Sequence, residues 1–155
     1  ESSAASDVYK RQALMSIPAV KTVKVGDGTQ PYLPGSKAHD EIVRAENGDI
    51  TRASNHAGGI EGGMSNGQPL RVNCAFKPIS TVPRALRSID LANGEESRAI
   101  HQRSDTCAVV PGAVIAQAQV ALVLADALLE HIGGYSLAQV RENLQAYQER
   151  VEARL

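Results

Sequence analysis

Aromatic side chains are scarce in this sequence. Its 155 residues include four tyrosines, one phenylalanine and no tryptophan, whereas 43% of the chain is hydrophobic. A hydrophobic core therefore has to be built from aliphatic side chains. The length suits one domain or part of one.

Excess charge of either sign is also absent. The formal net charge is -1 at pH 7, which argues against broad binding to nucleic acids or membrane surfaces, where a basic excess is expected. Cys74 and Cys107 form no C-x-x-C motif, and we see no signal peptide, so we predict reduced, buried cysteines in a cytoplasmic protein. The four histidines lack the spacing of metal ligands, and no metal is assigned.

The first twelve residues differ from the rest of the chain. The stretch "ESSAASDVYKRQ" has little apolar content and no periodicity. Within it, "DVYKRQ" is what the codons GAT GTG TAT AAG AGA CAG encode, a string that resembles the end of a transposase sequencing adapter. We predict that residues 1–12 are a non-native leader and that residues 13–155 are part of a single domain. A native, disordered N-terminus is the alternative.

Strand patterns fill the first two thirds of the chain. Apolar and polar residues alternate in "AVKTVKV" and again in "PLRVNCAF", which predicts two half-buried strands. The pairs Asn47-Gly48 and Asn93-Gly94 each separate two short strand-like runs and are typical of β-hairpins.

Two helices are predicted after these strands. Ala113–His131 is apolar almost all round, which predicts a buried helix. Its apolar run is shorter than the ~20 residues that a membrane-spanning helix needs. Ser136 and Gln139 match a capping box at the start of a last, amphipathic helix. Antiparallel strands and hairpins followed by helices predict an α+β fold.

A glycine-rich segment precedes the second strand pattern. Residues 58–67 contain five glycines, each of which costs ~0.5–1 kcal/mol in backbone entropy on folding. Ile60, Met64 and Leu70 make a flexible linker a poor explanation. Two interpretations stay open: a tight turn that needs positive φ, or a backbone that approaches a ligand closely.

Two polar segments could carry chemistry. "KPIST" (Lys77–Thr81) offers an ammonium group, two hydroxyls and backbone N–H groups suited to a phosphate, or it is an ordinary surface loop. In "RSD", Arg103 and Asp105 lie on the same side of an extended backbone. They could bind an anion and accept a proton, or form a surface ion pair of little value.

Several blocks of the sequence resemble chorismate synthase. They occur in the family's order and cover nearly all of the chain from Ala13 onward, which makes the resemblance specific. The blocks are "ALMSI-AVK" (13–21), "GDG" (26–28), "SNHAGGIEGGMSNGQPL" (54–70), "KPISTVPRAL" (77–86), "RSD" with "CAV" (103–109), "ALVLADALLE" (121–130) and "GGYSLAQVRENLQAY" (133–147).

The resemblance implies a lyase of the shikimate pathway and of aromatic amino acid biosynthesis. The family converts 5-enolpyruvylshikimate 3-phosphate to chorismate by a 1,4-elimination of phosphate and needs reduced FMN, whether its own NADPH-dependent activity or an external reductase supplies it. The implied fold is a β-α-β sandwich in which antiparallel sheets enclose helices, assembled as a homotetramer. This chain corresponds to the C-terminal half. The family's two catalytic histidines lie outside that half, so the isolated fragment is expected to be inactive.

Site residues follow from the same resemblance, position by position. Asp105 matches the family's catalytic aspartate, proposed to help remove the ring proton, and Arg103 matches a residue that contacts FMN and substrate. Gly62 against the flavin would explain the bare glycine segment. The implied FMN contacts are Pro18, Ala19, Gly62, Lys77, Pro78, Ile79, Ser80, Thr81 and Arg103.

Three positions depart from the family pattern. Pro18 stands where Asn or Gln is common, and it has neither a side-chain amide nor a backbone N–H. Thr22 replaces Gly, and Gln117 replaces a Glu at the start of the predicted buried helix. Two other functions therefore remain in view: a diverged module that binds FMN or phosphate without lyase activity, and an oligomerisation domain.

Overall fold

The structure of this chain is a computed structural model that describes residues 4–153. All strand pairs in these residues are antiparallel, and the two longest helices follow the last strand, which confirms the α+β class. In chain order the elements are α1 (Ala4–Met15), β1 (Val20–Val25), a 3₁₀ turn (Gln30–Tyr32), α2 (Gly35–Ala38), β2 (Ile42–Arg44), β3 (Ile50–Arg52), β4 (Ile60–Glu61), β5 (Met64–Ser65), β6 (Val72–Phe76), β7 (Arg87–Ile89), β8 (Glu96–Arg98), α3 (Val109–Ile132) and α4 (Leu137–Glu152).

The two alternating sequence patterns pair with each other. β1 and β6 form an antiparallel ladder in which Val23 lies opposite Cys74 and Val25 opposite Val72. Val72, Cys74 and Phe76 are half-buried while the residues between them are exposed, as the alternation predicts. This ladder forms the base of the small core.

The core joins this ladder to α1 and α3. Leu14, Ile17, Val20 and Ala116 are its buried members, and Phe76 packs beside them. Gly112 lets α3 approach the sheet closely, because a Cβ there would lie 2.7 Å from Phe76 Cζ. All of these side chains except Phe76 are aliphatic or absent, as the scarcity of aromatic residues requires.

Both predicted hairpins are present. β2 pairs with β3 around Asn47-Gly48, and β7 pairs with β8 around Asn93-Gly94. In each turn the asparagine Oδ1 accepts a hydrogen bond from the backbone N–H two residues later, at 3.1 Å and 3.0 Å. These local bonds explain why the hairpins could be predicted from dipeptides. Within residues 4–153 the strands form four separate two-stranded ladders.

Residues typical of helix ends lie at the ends of the two long helices. α3 begins at Val109, four residues before the predicted Ala113, because Pro111 lies in its first turn, where its missing N–H costs nothing. Gly133, with φ of 66°, ends α3 at Ile132, one residue beyond the predicted end at His131. Ser136 Oγ accepts from the backbone N–H of Gln139 at the start of α4.

The predicted burial of α3 is wrong for this chain by itself. Only Gly112 and Ala116 are buried among its residues, and Gln117, expected at a buried position, is exposed. Val110 and Leu122 are 74% and 65% exposed. By length and composition alone the 24-residue helix, in which an 18-residue stretch has a mean hydropathy of 1.8, could also cross a membrane. Core helices of soluble proteins share both features.

The exposed surface of the whole chain is correspondingly large. It amounts to 11,845 Å², whereas a folded monomer of this mass exposes about 7,500 Å². Neither cysteine is fully buried, contrary to the sequence prediction. Cys107 is exposed. Cys74 is half-buried, and this burial raises the pKa of its thiol.

The predicted junction after residue 12 coincides with no break in structure. α1 runs from Ala4 to Met15 and therefore crosses it. Leu14, just beyond the junction, is fully buried. A disordered N-terminus disagrees with this helix, and the non-native origin of residues 1–12 stays a prediction; residues 1–3 lie outside the described part.

We expect the isolated chain to lack a cooperative thermal transition. Its buried hydrophobic core is small and its apolar α3 surface is exposed, so it should bind 8-anilinonaphthalene-1-sulfonate and show weak near-ultraviolet circular dichroism. Calorimetry and dye fluorescence on the purified chain measure both. A sharp melt of a soluble monomer without dye binding would contradict this expectation.

Candidate functional site

The glycine-rich segment is a tight loop in which every glycine adopts a left-handed conformation. The φ angles are 64°, 81°, 57°, 81° and 83° at Gly58, Gly59, Gly62, Gly63 and Gly67. Other residues avoid this region because their Cβ collides with the backbone. Gly62 and Gly63 form the two-residue turn that joins β4 to β5, where positive φ at both positions is the preferred geometry.

Two of these glycines are also required by close backbone packing. A Cβ at Gly58 would lie 2.3 Å from Gly26 N, and a Cβ at Gly59 would lie 2.7 Å from Gln68 O. Gly26 meets the loop in return, since its Cβ would lie 1.7 Å from His56 O. Gly58 and Gly59 therefore lack side chains because the neighbouring backbone leaves no room for a Cβ.

Gly62 differs from Gly58 and Gly59. It is exposed, and a Cβ there would meet nothing within 4 Å. It lines a cavity of about 520 Å³, whose other lining residues include Val23 and Val25 of β1 and Tyr32. Both interpretations of the loop therefore apply, in different parts of it. The turn geometry accounts for all five glycines, and Gly62 in addition has open space beside it and lines a cavity.

Asp40 holds the entrance of the loop. Its Oδ1 accepts hydrogen bonds from the Ser54 hydroxyl at 2.5 Å and from the His56 N–H at 2.8 Å, and its Oδ2 accepts from the Ala57 N–H at 2.9 Å. Partial burial raises the pKa of Asp40, but the bonds from Ser54, Ala57 and His56 outweigh it, so the net pKa is lowered.

Asp27 provides a second anchor for the same stretch. Its Oδ1 accepts from the N–H and the hydroxyl of Thr29, and its Oδ2 contacts Nδ1 of His56 at 2.5 Å. The Thr29 N–H and then the His56 ring lower the pKa of Asp27 from 3.8 to about 2. His56 therefore joins the turn after β1 to the loop.

An ion pair fixes the residue before Gly62. Arg52 donates from Nε and Nη2 to the two carboxylate oxygens of Glu61, at 3.0 Å and 2.6 Å. The pair is partly buried, and the Arg52 hydrogen bonds lower the pKa of Glu61. This forked geometry links the end of β3 to β4 and restricts the turn at Gly62.

The "KPIST" segment is tied down at both ends by backbone groups. The Lys77 N–H donates to Ala19 O at 2.7 Å, and the Thr81 hydroxyl donates to Arg103 O at 2.6 Å. Ala19 has φ of 70°, which is unusual for a residue with a Cβ. The structure thus brings Ala19, Lys77–Thr81 and Arg103 together on one surface.

Arg103 and Asp105 form the surface ion pair that sequence reasoning left open. The distance from Arg103 Nε to Asp105 Oδ1 is 3.0 Å, and the side chains are 78% and 75% exposed. Such a pair adds little stability, so its exposure leaves both groups accessible to a ligand. Pro18, beside Ala19, is exposed as well.

Sequence reasoning missed the groups that hold the glycine loop: Asp27, Asp40, Arg52, His56 and Glu61. A signal existed for Asp27, because Asp-Gly-Thr is a pattern typical of a side-chain-capped turn. Asp40 gave none, since its partners lie 14 to 17 residues away in sequence.

His131 lies in the last turn of α3 and makes an edge-to-face contact with Tyr147, with ring centroids 5.0 Å apart. This location suits an interaction of the imidazole ring with the helix dipole. Within residues 4–153, no three His, Cys, Asp or Glu side chains are grouped to hold a metal ion.

Two relatives and one solved structure that are similar to this chain are all chorismate synthases. The chorismate synthase of Beutenbergia cavernae is 59% identical over 139 residues, which cover 89% of this chain and 35% of that protein. That of Corynebacterium aurimucosum is 55% identical over 150 residues, or 96% of this chain and 37% of that protein. A crystal structure of a chorismate synthase matches with a TM-score of 0.74 and 36% identity, over 96% of this chain and 37% of that one. The chain therefore spans little more than a third of the relatives' length.

Substituting Gly58 tests the packing of the loop. We define a full-length hybrid in which residues 13–155 replace the matching stretch of the B. cavernae protein. Gly58→Ala should destabilise it by about 4 kcal/mol or more, because the backbone atoms that its Cβ meets cannot move aside. Gly67→Ala, where the space is open, should cost only the left-handed strain of roughly 1–2 kcal/mol. Equal losses in denaturant unfolding would show that packing against Gly26 is unimportant.

The pKa of Asp27 predicts a pH-dependent contribution to stability. Folding lowers this pKa, so the ionised carboxylate stabilises the fold above about pH 4, and this contribution is lost as the pH falls toward about 2. Asp27→Asn removes the titration. The difference in melting temperature between the hybrid and this variant should be constant above about pH 4 and should shrink below it. A difference that does not change with pH would refute the assignment.

The family model for chorismate synthase matches residues 9–129 of this chain. That stretch is most of the sequence and contains both the glycine loop and the surface formed by Ala19, Lys77–Thr81 and Arg103. With the relatives and the crystal structure described above, it shows that this chain belongs to the chorismate synthase family.

Proposed function

We propose that this chain is the C-terminal part of an FMN-dependent chorismate synthase, which forms chorismate from 5-enolpyruvylshikimate 3-phosphate by a 1,4-elimination of phosphate. The observation that carries the proposal is the pair of hydrogen bonds that fix "KPIST" between Ala19 and Arg103. Three segments that are far apart in sequence, and that the resemblance assigns to FMN, meet there.

The exposed groups on this surface fit a flavin phosphate. The backbone N–H groups of Ile79 and Ser80 find no acceptor within residues 4–153, and the Lys77 ammonium is exposed. Such donors bind phosphate oxygens. Pro18, Pro78 and Thr81 would border the same cofactor. Gly62, which the resemblance also assigns to FMN, lines a cavity that includes none of these residues, and its backbone has open space beside it. Reduced FMN, when bound, supplies the electron density that supports loss of the substrate's phosphate.

Arg103 and Asp105 have distinct roles in this proposal. Arg103 binds an anionic group of the substrate or the cofactor, since a guanidinium matches phosphate and carboxylate geometry. Asp105 accepts the proton that leaves the substrate ring. Their exposed ion pair is weak enough to be exchanged for a substrate anion, which would release the Asp105 carboxylate for proton transfer.

The exposed face of α3 fits a chain that is one part of a larger protein. The relatives are almost three times as long as the stretch they share with this chain. We propose that the rest of the protein covers α3, that the fragment alone is inactive, and that the complete protein is a cytoplasmic homotetramer. The helix would then be a core helix and not a membrane span.

A second candidate is a diverged module that binds FMN or phosphate without lyase activity. Pro18 favours it, because proline at this exposed position offers a flavin neither an amide side chain nor a backbone N–H. The two candidates differ in one measurable property, turnover.

Asp105→Asn in the full-length hybrid tests the lyase assignment. Chorismate formation with reduced FMN should fall at least about 100-fold, which is the usual contribution of a general base. The loss should appear in kcat, and KM should not rise, because Arg103 loses its competing carboxylate. Stopped-flow absorbance of chorismate measures both constants.

Glu46→Gln is the matched control for this experiment. Glu46 is exposed in the β2–β3 turn and makes no contact with the proposed site, so its loss of charge should leave turnover unchanged. Activity that survives Asp105→Asn would remove Asp105 from the chemistry. A hybrid that binds FMN but produces no chorismate would favour the module without lyase activity.

A further inference from the structure

The glycine loop depends on one carboxylate at its entrance. Asp40 lies between α2 and β2, outside the loop, and accepts hydrogen bonds from consecutive backbone N–H groups at His56 and Ala57. The Ser54 hydroxyl supplies a third bond. A carboxylate that accepts from two adjacent peptide N–H groups fixes the orientation of the peptide between them.

This fixed peptide controls the residues that follow it. His56 O lies against Gly26, and Gly58 follows with its own contact to the Gly26 backbone. Asn55 Oδ1 then accepts from the Gly59 N–H at 2.7 Å. The backbone direction at each residue limits the direction of the next residue. The orientation of the His56–Ala57 peptide therefore restricts the backbone up to β4.

Asp40 also lies close to the end of this path. It lines a cavity of about 380 Å³ together with Glu61 and Gly62. Asp40 and the exposed Gly62 therefore line the same cavity, while both carboxylate oxygens of Asp40 accept hydrogen bonds from Ser54, His56 and Ala57. The position and the hydrogen bonds of Asp40 together suit a residue that fixes the place of Gly62 by holding the loop backbone.

We propose that Asp40 is a positioning residue that holds the glycine loop in the conformation presenting Gly62 to the flavin. This inference rests on the proposed function, in which Gly62 contacts FMN. Asp40 itself touches neither flavin nor substrate in this proposal. Its carboxylate matters because two N–H groups need acceptors on both oxygens, which an amide cannot supply.

Asp40→Asn in the full-length hybrid tests the inference, with Glu46→Gln as the control for loss of one negative charge. The amide leaves one of the two loop N–H groups facing another donor. FMN affinity, measured by quenching of FMN fluorescence, should fall by about tenfold, equivalent to roughly 1.4 kcal/mol. Amide hydrogen exchange should accelerate at His56 and Ala57 but not in the β1–β6 ladder.

The outcomes separate this inference from the function on which it rests. A hybrid with intact Asp40 that does not bind FMN would overturn both. FMN binding that is unchanged by Asp40→Asn would overturn the positioning role alone, as would exchange that accelerates equally in the loop and in the β1–β6 ladder. Should Asp40→Asn prevent folding, Ser54→Ala removes one bond only. It should weaken FMN binding by about two- to threefold, and no change would again reject the role.

Discussion

The contact between two backbones, at Gly26 and at Gly58, is the constraint on which the rest of this structure depends. Nothing larger than hydrogen fits at either position, since added Cβ atoms would lie 1.7 Å and 2.3 Å from backbone atoms. The turn after β1 and the start of the glycine loop therefore fit together in one way. The β1–β6 ladder continues from this contact, because Gly26 N donates to Arg71 O just beyond the paired strands.

Two carboxylates stabilise this backbone contact from outside it. Asp27 and Asp40 approach His56 from two different loops, one at its ring and the other at its backbone N–H. Both carboxylates have lowered pKa values because they accept several hydrogen bonds. An ionised acceptor binds N–H groups more strongly than a neutral one does. A loop rich in glycine, which has the most backbone freedom to lose, is thereby confined to one conformation.

Local chemistry decided which features the sequence could predict. The hairpins at Asn47 and Asn93 depend on neighbouring residues, and both were predicted correctly. The burial of α3 was predicted wrongly because its covering surface is not formed by residues 4–153, although its composition requires one. Asp40 was missed because its partners come from a distant stretch, and nothing near it in sequence marks its role.

The surface proposed to bind FMN is held together by different groups from those that hold the glycine loop. Backbone groups make its anchoring bonds: Ala19 O receives Lys77 N–H, and Arg103 O receives the Thr81 hydroxyl. The Lys77 ammonium takes no part in this anchoring, and Arg103 is engaged only in an exposed pair. A site of this kind can hold its loops in place without using the charges that its ligands need. Cationic side chains then lose little when an anion arrives, because the bond they give up is an exposed ion pair of small value.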